Sequence, residues 1–249
     1  MTHPRSYHCP PRHIVLGVDF DTASARAAAL AGVLATTFAA RLEAVHGEPF
    51  TPPPYFTPDQ IARLAAERQT NAAVTSARLR EFVAAETGAA FAAVVADGEP
   101  VEGVLERAAE ADLIVLGTHG RRGPQRWWLG SVADRIVRAS AVPVLVTHAD
   151  HPATAAAFAR VAVVGDGAAG DAARSCAAAL ATAFGGQVVD GGSLAACRRE
   201  ALDAASLVVV ALDGSVGGST AGQAVGTALT GCTQPVLFVP GSKDFGRTS

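Results

Sequence analysis

Aromatic residues are scarce in this chain, and neither sign of charge predominates. Phe, Trp and Tyr together make up 6% of the 249 residues, and the net charge is −3 at pH 7. No basic field exists that would attract nucleic acid, and the pairs Arg121-Arg122 and Arg198-Arg199 are too short to form a basic stripe. Because 49% of the residues are hydrophobic and 17% charged, the chain can bury a core. We therefore expect a globular protein with no nucleic-acid partner.

Long hydrophobic runs are absent as well. The apolar stretches have the length of strands and are interrupted by Asp or Gly, so none can span a bilayer. The N-terminal sequence MTHPRSYHCPPRH contains no apolar segment of the kind that a secretory signal needs. We therefore expect no membrane partner and a cytoplasmic location.

Cysteine is rare, and its spacing does not suggest a metal or redox motif. The four cysteines are Cys9, Cys176, Cys197 and Cys232, with no CxxC pair among them. A chain of this length does not need disulfides, so we expect free thiols in a reducing compartment. Potential metal ligands crowd the N-terminus at His3, His8, Cys9 and His13. A flexible tail that carries these ligands by chance is the better interpretation.

Short β-branched strands alternate with Ala-rich helices in the first part of the chain. The predicted strands cover 14–18, 42–46, 91–96, 112–116 and 144–147. Asp21 or Thr22 can cap the first helix. The second helix has a strong start at Thr57-Pro58-Asp59-Gln60, where Thr57 and Gln60 form a capping box. The order βαβαβαβαβ predicts an open parallel sheet with helices on both faces.

The same pattern begins again after residues 149–158, which have the composition of a linker. Segment 160–166 repeats 13–19, segment 205–210 repeats 111–116, and segment 222–240 aligns with 130–148 without a gap. The stretch from Asp166 to Ala211 is much shorter than that from Asp19 to Gly117, so the second copy has lost about one helix and one strand. We therefore predict two α/β domains in tandem: a five-stranded domain over 1–148 and a shortened one over 159–249.

The segment best suited to chemistry is the loop between the fourth strand and the next helix. It contains Gly117-Thr118-His119-Gly120, then nine residues, then Gly130-Ser131. This loop lies at the carboxyl end of a parallel sheet, where such sheets bind ligands. Its glycines let the backbone approach a ligand closely, and the helix N-terminus favours anionic oxygens. The loop can therefore cradle a polyphosphate, although it is not a Walker A loop.

The spacing of Gly117, Gly120, Gly130 and Ser131 resembles the ATP-binding motif of the universal stress protein family. The stretch from Ser131 to Val146 also looks like that family's closing helix and strand, as does Gly98-Glu99-Pro100 ahead of the preceding helix. The resemblance covers about 12–148 well and 159–240 more weakly. It implies Rossmann-like domains of the adenine-nucleotide alpha-hydrolase type with ATP as ligand, and it leaves open whether Mg²⁺ or Mn²⁺ accompanies the nucleotide.

The resemblance also implies roles for single residues. Asp19 would accept hydrogen bonds from the nucleotide near its adenine–ribose end, although it could instead only cap the following helix. Val45 would contact adenine through its backbone. The other side of the site would be closed by Leu116 and Gly117. The phosphates would be held by Gly120, Gly130, Ser131 and Val132.

The second copy departs from the motif. Its loop begins with Ala211 instead of Gly, and Asp213 adds negative charge where phosphates would bind, although Asp166 is retained. We expect this copy to serve as the partner of the first domain. The closing strands 144–147 and 236–239 would then pair as they do in the dimers common in the family, and a further homodimer stays open.

The sequence thus predicts a stress-response regulatory protein that binds ATP as a ligand and does not turn it over rapidly. Two alternatives stay open. The first is an enzyme, either a slow ATPase or an adenylating enzyme, for which His119 is the one obvious base near the loop. The second is a protein-interaction module that binds no nucleotide, and the intact glycine motif argues against it.

Overall fold

The computed structural model describes residues 7–48, 55, 57–118, 129–151, 153–212, 225–226, 229 and 232–241. Strands and helices alternate in the first half of the chain, up to residue 148. They are β1 (His13–Gly17), α1 (Thr22–Phe38), β2 (Arg41–Glu48), α2 (Pro58–Glu86), β3 (Phe91–Asp97), α3 (Pro100–Ala108), β4 (Leu113–Thr118), α4 (Ser131–Ala139) and β5 (Val144–His148). This is the alternation that the sequence predicts.

The second half, from residue 159, follows a short 3₁₀ helix at Ala155–Phe158 and has fewer elements. They are β6 (Arg160–Val164), α5 (Gly167–Ala183), β7 (Gln187–Asp190), α6 (Arg199–Asp203), β8 (Leu207–Leu212) and β9 (Val236–Pro240). Between β7 and α6, residues 191–198 contain only an isolated bridge that joins Gly192 to Cys197. The counterparts of α2 and β3 are therefore missing from this fully described segment, as the shorter spacing predicts.

The nine strands of the described residues lie in one sheet, in the order β3-β2-β1-β4-β5-β9-β8-β6-β7. The pairs within each half are parallel, which confirms the mostly parallel α/β sheet. The closing strands β5 and β9 pair with each other in the antiparallel direction, with Val144 opposite Phe238 and Val146 opposite Val236. Because this antiparallel pair joins the two halves, the carboxyl ends of their strands lie at opposite ends of the sheet.

Helices cover both faces of the sheet, and the apolar cluster on each face extends across both halves. One cluster contains Leu34 of α1 and Leu180 of α5. The other contains Ile136 of α4 and Leu202 of α6. The halves therefore share their cores as well as their sheet. A division into two domains at the predicted linker, 149–158, stays a prediction.

Cutting the chain after residue 150 tests this shared core. The fragment would lose the backbone partner of β5 and expose the apolar side chains that the second half covers, so we expect it to form dimers or larger species through the β5 edge. Light scattering after size-exclusion chromatography measures this, with the full chain at equal concentration as the control. A fragment that stays monomeric and cooperatively folded would contradict it and support an independent first domain.

The starts of the two long helices follow the capping predictions. The Asp21 side chain caps α1 and accepts a hydrogen bond from the backbone N–H of Ser24 at 2.6 Å. At α2, Thr57 accepts from the N–H of Gln60 at 3.4 Å, and the Gln60 side chain accepts from the N–H of Thr57 at 2.8 Å. The capping box is thereby confirmed, and these caps set where each helix leaves the carboxyl end of the sheet.

The prediction that all four cysteines are free is wrong for two of them. Cys9 and Cys176 form a disulfide that joins the N-terminus to α5 across 167 residues of sequence, whereas Cys197 and Cys232 are free. The physical reason is that pairing depends on spatial proximity. The sheet places the start of β1 near α5, and sequence spacing carries no information about such a distant contact.

The flexible-tail interpretation is also wrong for the N-terminal arm, which we define as Tyr7–Arg12. The buried carboxylate of Asp112 accepts hydrogen bonds from the backbone N–H groups of His8, Arg12 and His13, at 2.9, 2.9 and 3.1 Å.

Within the described residues, no cluster of three potential metal ligands occurs, and His3 lies outside them. The described helices also include none that combines the length and apolar character of a membrane span.

Candidate functional site

Asp19 follows β1 and is positioned by the first turn of α1. One carboxylate oxygen, Oδ1, accepts hydrogen bonds from the Ser24 hydroxyl and from the backbone N–H of Asp21, the latter at 3.3 Å. The backbone N–H of Asp19 donates to the Ser24 hydroxyl at 3.1 Å. Asp21, not Asp19, is the cap of α1. Asp19 is exposed, and its second oxygen has no partner among the described residues. The fold therefore orients the carboxylate and leaves this oxygen able to accept a hydrogen bond from a ligand.

Two apolar positions of the predicted site lie on β2 and β4, the strands that flank β1. Val45 of β2 is buried, and its carbonyl accepts the backbone N–H of Val18 at 2.9 Å. Leu116 of β4 is buried between β1 and β5. The Val45 carbonyl has one acceptor position left after this bond. A contact between this backbone and adenine stays a prediction.

Gly117 is required by the packing of α1 against β4. A Cβ atom at this position would lie 2.3 Å from the backbone carbon of Ala23 and 2.4 Å from the backbone nitrogen of Ser24. Backbone atoms cannot move aside as a side-chain end can, so the close approach of α1 depends on glycine here. The fold therefore explains Gly117 without any ligand. The same contact also places β4 directly beside the turn that holds Asp19.

Thr118 and Gly130 join the two ends of the glycine-rich loop. The backbone N–H of Gly130 donates to the buried Thr118 hydroxyl at 2.9 Å. Gly130 is the residue at the N-cap of α4, and its carbonyl accepts the first helical bond, from Asp134, at 2.9 Å. The two described ends of the loop therefore lie together at the carboxyl end of β4.

The first turn of α4 completes the described part of this site. Ser131 and Val132 are exposed, and Val132 keeps 39% of its surface accessible although it is apolar. The N–H groups of a helix's first turn have no partner within the helix and can bind an anion. Gly120 and His119, which the sequence places in the same loop, lie outside the described residues.

Three residues that the sequence analysis did not single out lie beside the motif. Phe20 has a left-handed backbone with φ of 64°, and its ring centroid is 4.6 Å from that of His46. The ring of His46 bonds the Val18 carbonyl at 2.7 Å. His148, opposite Thr118 at the end of β5, is half-buried, and burial lowers the pKa of its imidazole while a hydrogen bond with the Thr118 backbone opposes this. Each of them lies at or near the carboxyl end of a strand, β1, β2 or β5. That position is the feature of the sequence by which they could have been found.

A different close contact occupies the corresponding position of the second half. Ala211 occupies the position of Gly117, and its methyl group is accommodated because residue 165 is glycine. A Cβ at Gly165 would lie 2.4 Å from that of Ala211. Asp166 makes no side-chain cap bond to α5. Residues 213–220 of the loop that follows, including Asp213, lie outside the described residues. The missing side chain of Gly165 makes room for the methyl group of Ala211. The change from Gly to Ala is therefore not by itself evidence against ligand binding in the second half.

A cavity of about 560 Å³ lies at the carboxyl end of β6 and β7. Its charged lining residues are Asp166, Arg174, Asp190 and Arg198. Arg198 pairs with Asp190 at 3.2 Å, and Arg174 pairs with Asp171 at 2.8 Å. This space lies beside β7, where the first half carries α2. Its charges are of both signs and mostly paired, so it does not select an anion.

Comparison with known proteins gives one family. The model of the universal stress protein family matches residues 11–148, which is more than half of the chain. A universal stress protein of Mycobacterium bovis is 29% identical over 154 residues, covering 60% of this chain and 51% of that protein. One from Thermus aquaticus is 32% identical over 136 residues, covering 53% of this chain and 96% of that protein. The chain thus spans about half the length of the mycobacterial relative.

A solved structure shows the same fold over nearly the whole chain. It is a universal stress protein from Archaeoglobus fulgidus, with a TM-score of 0.69 and 17% sequence identity. The alignment covers 92% of this chain and 98% of that one. At this identity the likeness shows the fold alone. It extends well beyond residue 148, so the second half takes part in the shared architecture.

Proposed function

Since the chain belongs to the universal stress protein family, we propose that its first half binds ATP as a regulatory ligand in a stress-response role. Asp19 binds the ribose end, the backbone at Val45 contacts adenine, and Leu116 and Gly117 close the opposite wall. Gly120, Gly130, Ser131 and Val132 hold the phosphates. A divalent cation, Mg²⁺ or Mn²⁺, would neutralise part of the phosphate charge if it binds with the nucleotide.

The observation that carries this proposal is Gly130. Its φ of −59° is one that any residue adopts, and among the described residues the nearest atom to a Cβ there would be the Thr118 hydroxyl, at 3.2 Å. Packing thus demands glycine far less at 130 than at 117. A ligand that approaches the backbone at the start of α4 supplies the missing reason, and a phosphate group suits the free N–H groups there.

Asp19 supports the same proposal from the opposite side of the site. Its carboxylate is held by Ser24 and Asp21, yet one oxygen stays available at the surface. An ionised carboxylate accepts two ribose hydroxyls well. The contact between Gly117 and the first turn of α1 brings this acceptor to the strand from which the loop leaves. Sugar and phosphates can therefore be bound by neighbouring elements.

Catalysis is the less supported alternative. Phosphoryl transfer needs a positioned water and groups that stabilise the developing charge. Among the described residues, His148 is a titratable side chain beside the ends of the glycine-rich loop, but its ring is half-buried against the Thr118 backbone. We propose that hydrolysis is at most slow. Release of ADP or AMP faster than about one per minute would favour an enzyme.

We propose that the second half acts as the built-in partner of the first, through the β5–β9 pair and the shared cores. In that role it needs no nucleotide of its own. A cytoplasmic location and a further homodimer belong to the same proposal. The direct test of the ligand is mass spectrometry of small molecules released from the denatured protein. An adenine nucleotide supports the proposal, whereas none retained and none bound on addition favours the interaction module.

Asp19→Asn should weaken ATP binding by about 10- to 100-fold, because a hydrogen bond to a charged acceptor contributes about 1.5–3 kcal/mol. Competition with a fluorescent ATP analogue measures the change. Asp166→Asn, at the repeated position of the second half, is the matched control and should leave the affinity unaltered. Equal loss in both variants, or in neither, would argue against a ribose contact at Asp19.

A further inference from the structure

The Cys9–Cys176 bond connects the N-terminal arm to the second half. Cys9 lies in the middle of the arm, and Cys176 lies in the middle of α5 with 2% of its surface exposed. Their Cα atoms are 5.3 Å apart, which is within the usual range for a disulfide. The bond therefore links a segment that precedes β1 to a helix that packs on β6 and β8.

The arm is held near α5 by contacts that do not depend on this bond. Asp112 accepts the N–H groups of His8 and Arg12 on either side of Cys9. The Tyr7 hydroxyl donates to the Pro240 carbonyl at 3.4 Å. These contacts keep the two sulfur atoms close together when they are reduced, so the bond can form again without a search through unfolded states.

The fold as a whole does not require the bond either. The two halves share one continuous sheet and an apolar cluster on each face. A chain of this size with such cores is stable without a disulfide. Reduction should therefore loosen the arm and leave the sheet intact, which is the behaviour expected of a switchable bond.

We propose that Cys9 and Cys176 form a reversible thiol–disulfide site, which fastens the N-terminal arm to the second half under oxidising conditions and, under reducing ones, loosens the arm, which then keeps its hydrogen bonds to Asp112 and Pro240. The site takes a small thiol or its disulfide as co-reactant, of the glutathione class. This proposal does not depend on nucleotide binding.

The exchange begins at Cys9, because this residue is partly exposed between the exposed residues His8 and Pro10, whereas Cys176 is buried. A small-molecule thiolate attacks the Cys9 sulfur, and the Cys176 sulfur leaves as a thiolate that takes up a proton. A second small thiol attacks the mixed disulfide on its small-molecule sulfur and releases the Cys9 thiolate. In total, two small thiols are oxidised to one disulfide while two protein thiols form. Oxidation by the small disulfide is the reverse sequence.

The other two cysteines are poor competitors for this chemistry. Cys232 is buried, and burial raises the pKa of its thiol to about 11. Burial also raises the pKa of the Cys197 thiol, and the nearby Arg199 opposes this. A high pKa leaves little reactive thiolate at neutral pH. Oxidation should therefore select the Cys9–Cys176 pair.

The test compares the full chain after treatment with oxidised glutathione and after treatment with dithiothreitol. Peptide mapping of the oxidised protein should show the Cys9–Cys176 link, and dithiothreitol should remove it while circular dichroism still shows the native fold. The oxidised form should melt about 10 °C higher, because the bond closes a very long loop. The arm amides of His8, Cys9 and Arg12 should exchange hydrogen at least about tenfold more slowly in the oxidised form.

Two variants complete the design. Cys9→Ser, at the partly exposed position, should behave like the reduced protein under both treatments, whereas Cys197→Ser should respond as the wild type does. Three outcomes would overturn the proposal: a Cys9–Cys176 bond that dithiothreitol cannot reduce in the folded protein, oxidation that links other cysteines, or oxidised and reduced forms with the same melting temperature and the same amide exchange.

Discussion

Gly130→Asp should weaken ATP binding by more than about 100-fold. The substitution places a carboxylate at the N-cap of α4, where the proposed phosphates meet the first helical N–H groups. Two like charges about 4 Å apart repel by about 4 kcal/mol at the effective dielectric of a protein surface, which alone exceeds that loss of affinity. Titration calorimetry with ATP measures it.

Two controls separate the charge from its side effects. Gly130→Ala adds only a methyl group beside the Thr118 hydroxyl, so we expect a loss of less than about tenfold. Gly88→Asp adds the same charge after α2, where a Cβ would meet no atom of the described residues within 4 Å, and should not change the affinity. If Gly130→Asp binds ATP as tightly as Gly88→Asp, the phosphate site is placed wrongly.

Gly117→Ala should destabilise the protein by about 3 kcal/mol, because its methyl group must displace backbone atoms of α1. For a chain of this size the melting temperature should fall by about 6–12 °C. Calorimetric melting in the absence of nucleotide measures the effect, so that a loss of ligand binding cannot contribute.

Gly88→Ala is the matched control for this substitution, since the new methyl group enters open space. Its melting temperature should stay within about 2 °C of the wild type. Should Gly117→Ala melt like Gly88→Ala, the close packing of α1 on β4 would not be what demands glycine. The motif position would then be explained by the ligand alone.

Local signals predicted most of the fold. Strand and helix order followed from β-branched runs, and the start of α2 followed from the capping box of Thr57 and Gln60. These features depend on neighbours within four residues, which a sequence displays directly. The pairing of the closing strands β5 and β9 followed from the internal repeat and the family resemblance, whereas its antiparallel direction came from the structure.

Long-range contacts could not be predicted. Two such contacts are the disulfide between Cys9 and Cys176 and the hydrogen bonds that Asp112 accepts from the arm, and each connects residues far apart in sequence. Neither has a local pattern, and both depend on where the sheet places its strands. The interpretation of the cysteines as free thiols was wrong for Cys9 and Cys176 because it rested on chain length and spacing alone.

The sequence predicted the candidate site only in part, because the role of each residue in it also depends on contacts between elements. The motif marks Gly117 and Gly130 as equivalent. The backbone of α1 packs directly against Gly117, whereas among the described residues a single hydroxyl group lies close to Gly130. Sequence spacing cannot separate a glycine needed for packing from one left open for a ligand. Nor could it show that Ser24 orients Asp19, since that bond depends on the turn into α1.

The most direct test is titration calorimetry of ATP into the wild-type protein, with thermal melting in parallel. We expect saturable heat at about one ATP per chain and a melting temperature that rises with ATP concentration, as mass action requires for a ligand of the folded state. Well-folded protein that gives no heat and no thermal shift with ATP, ADP or AMP would contradict it.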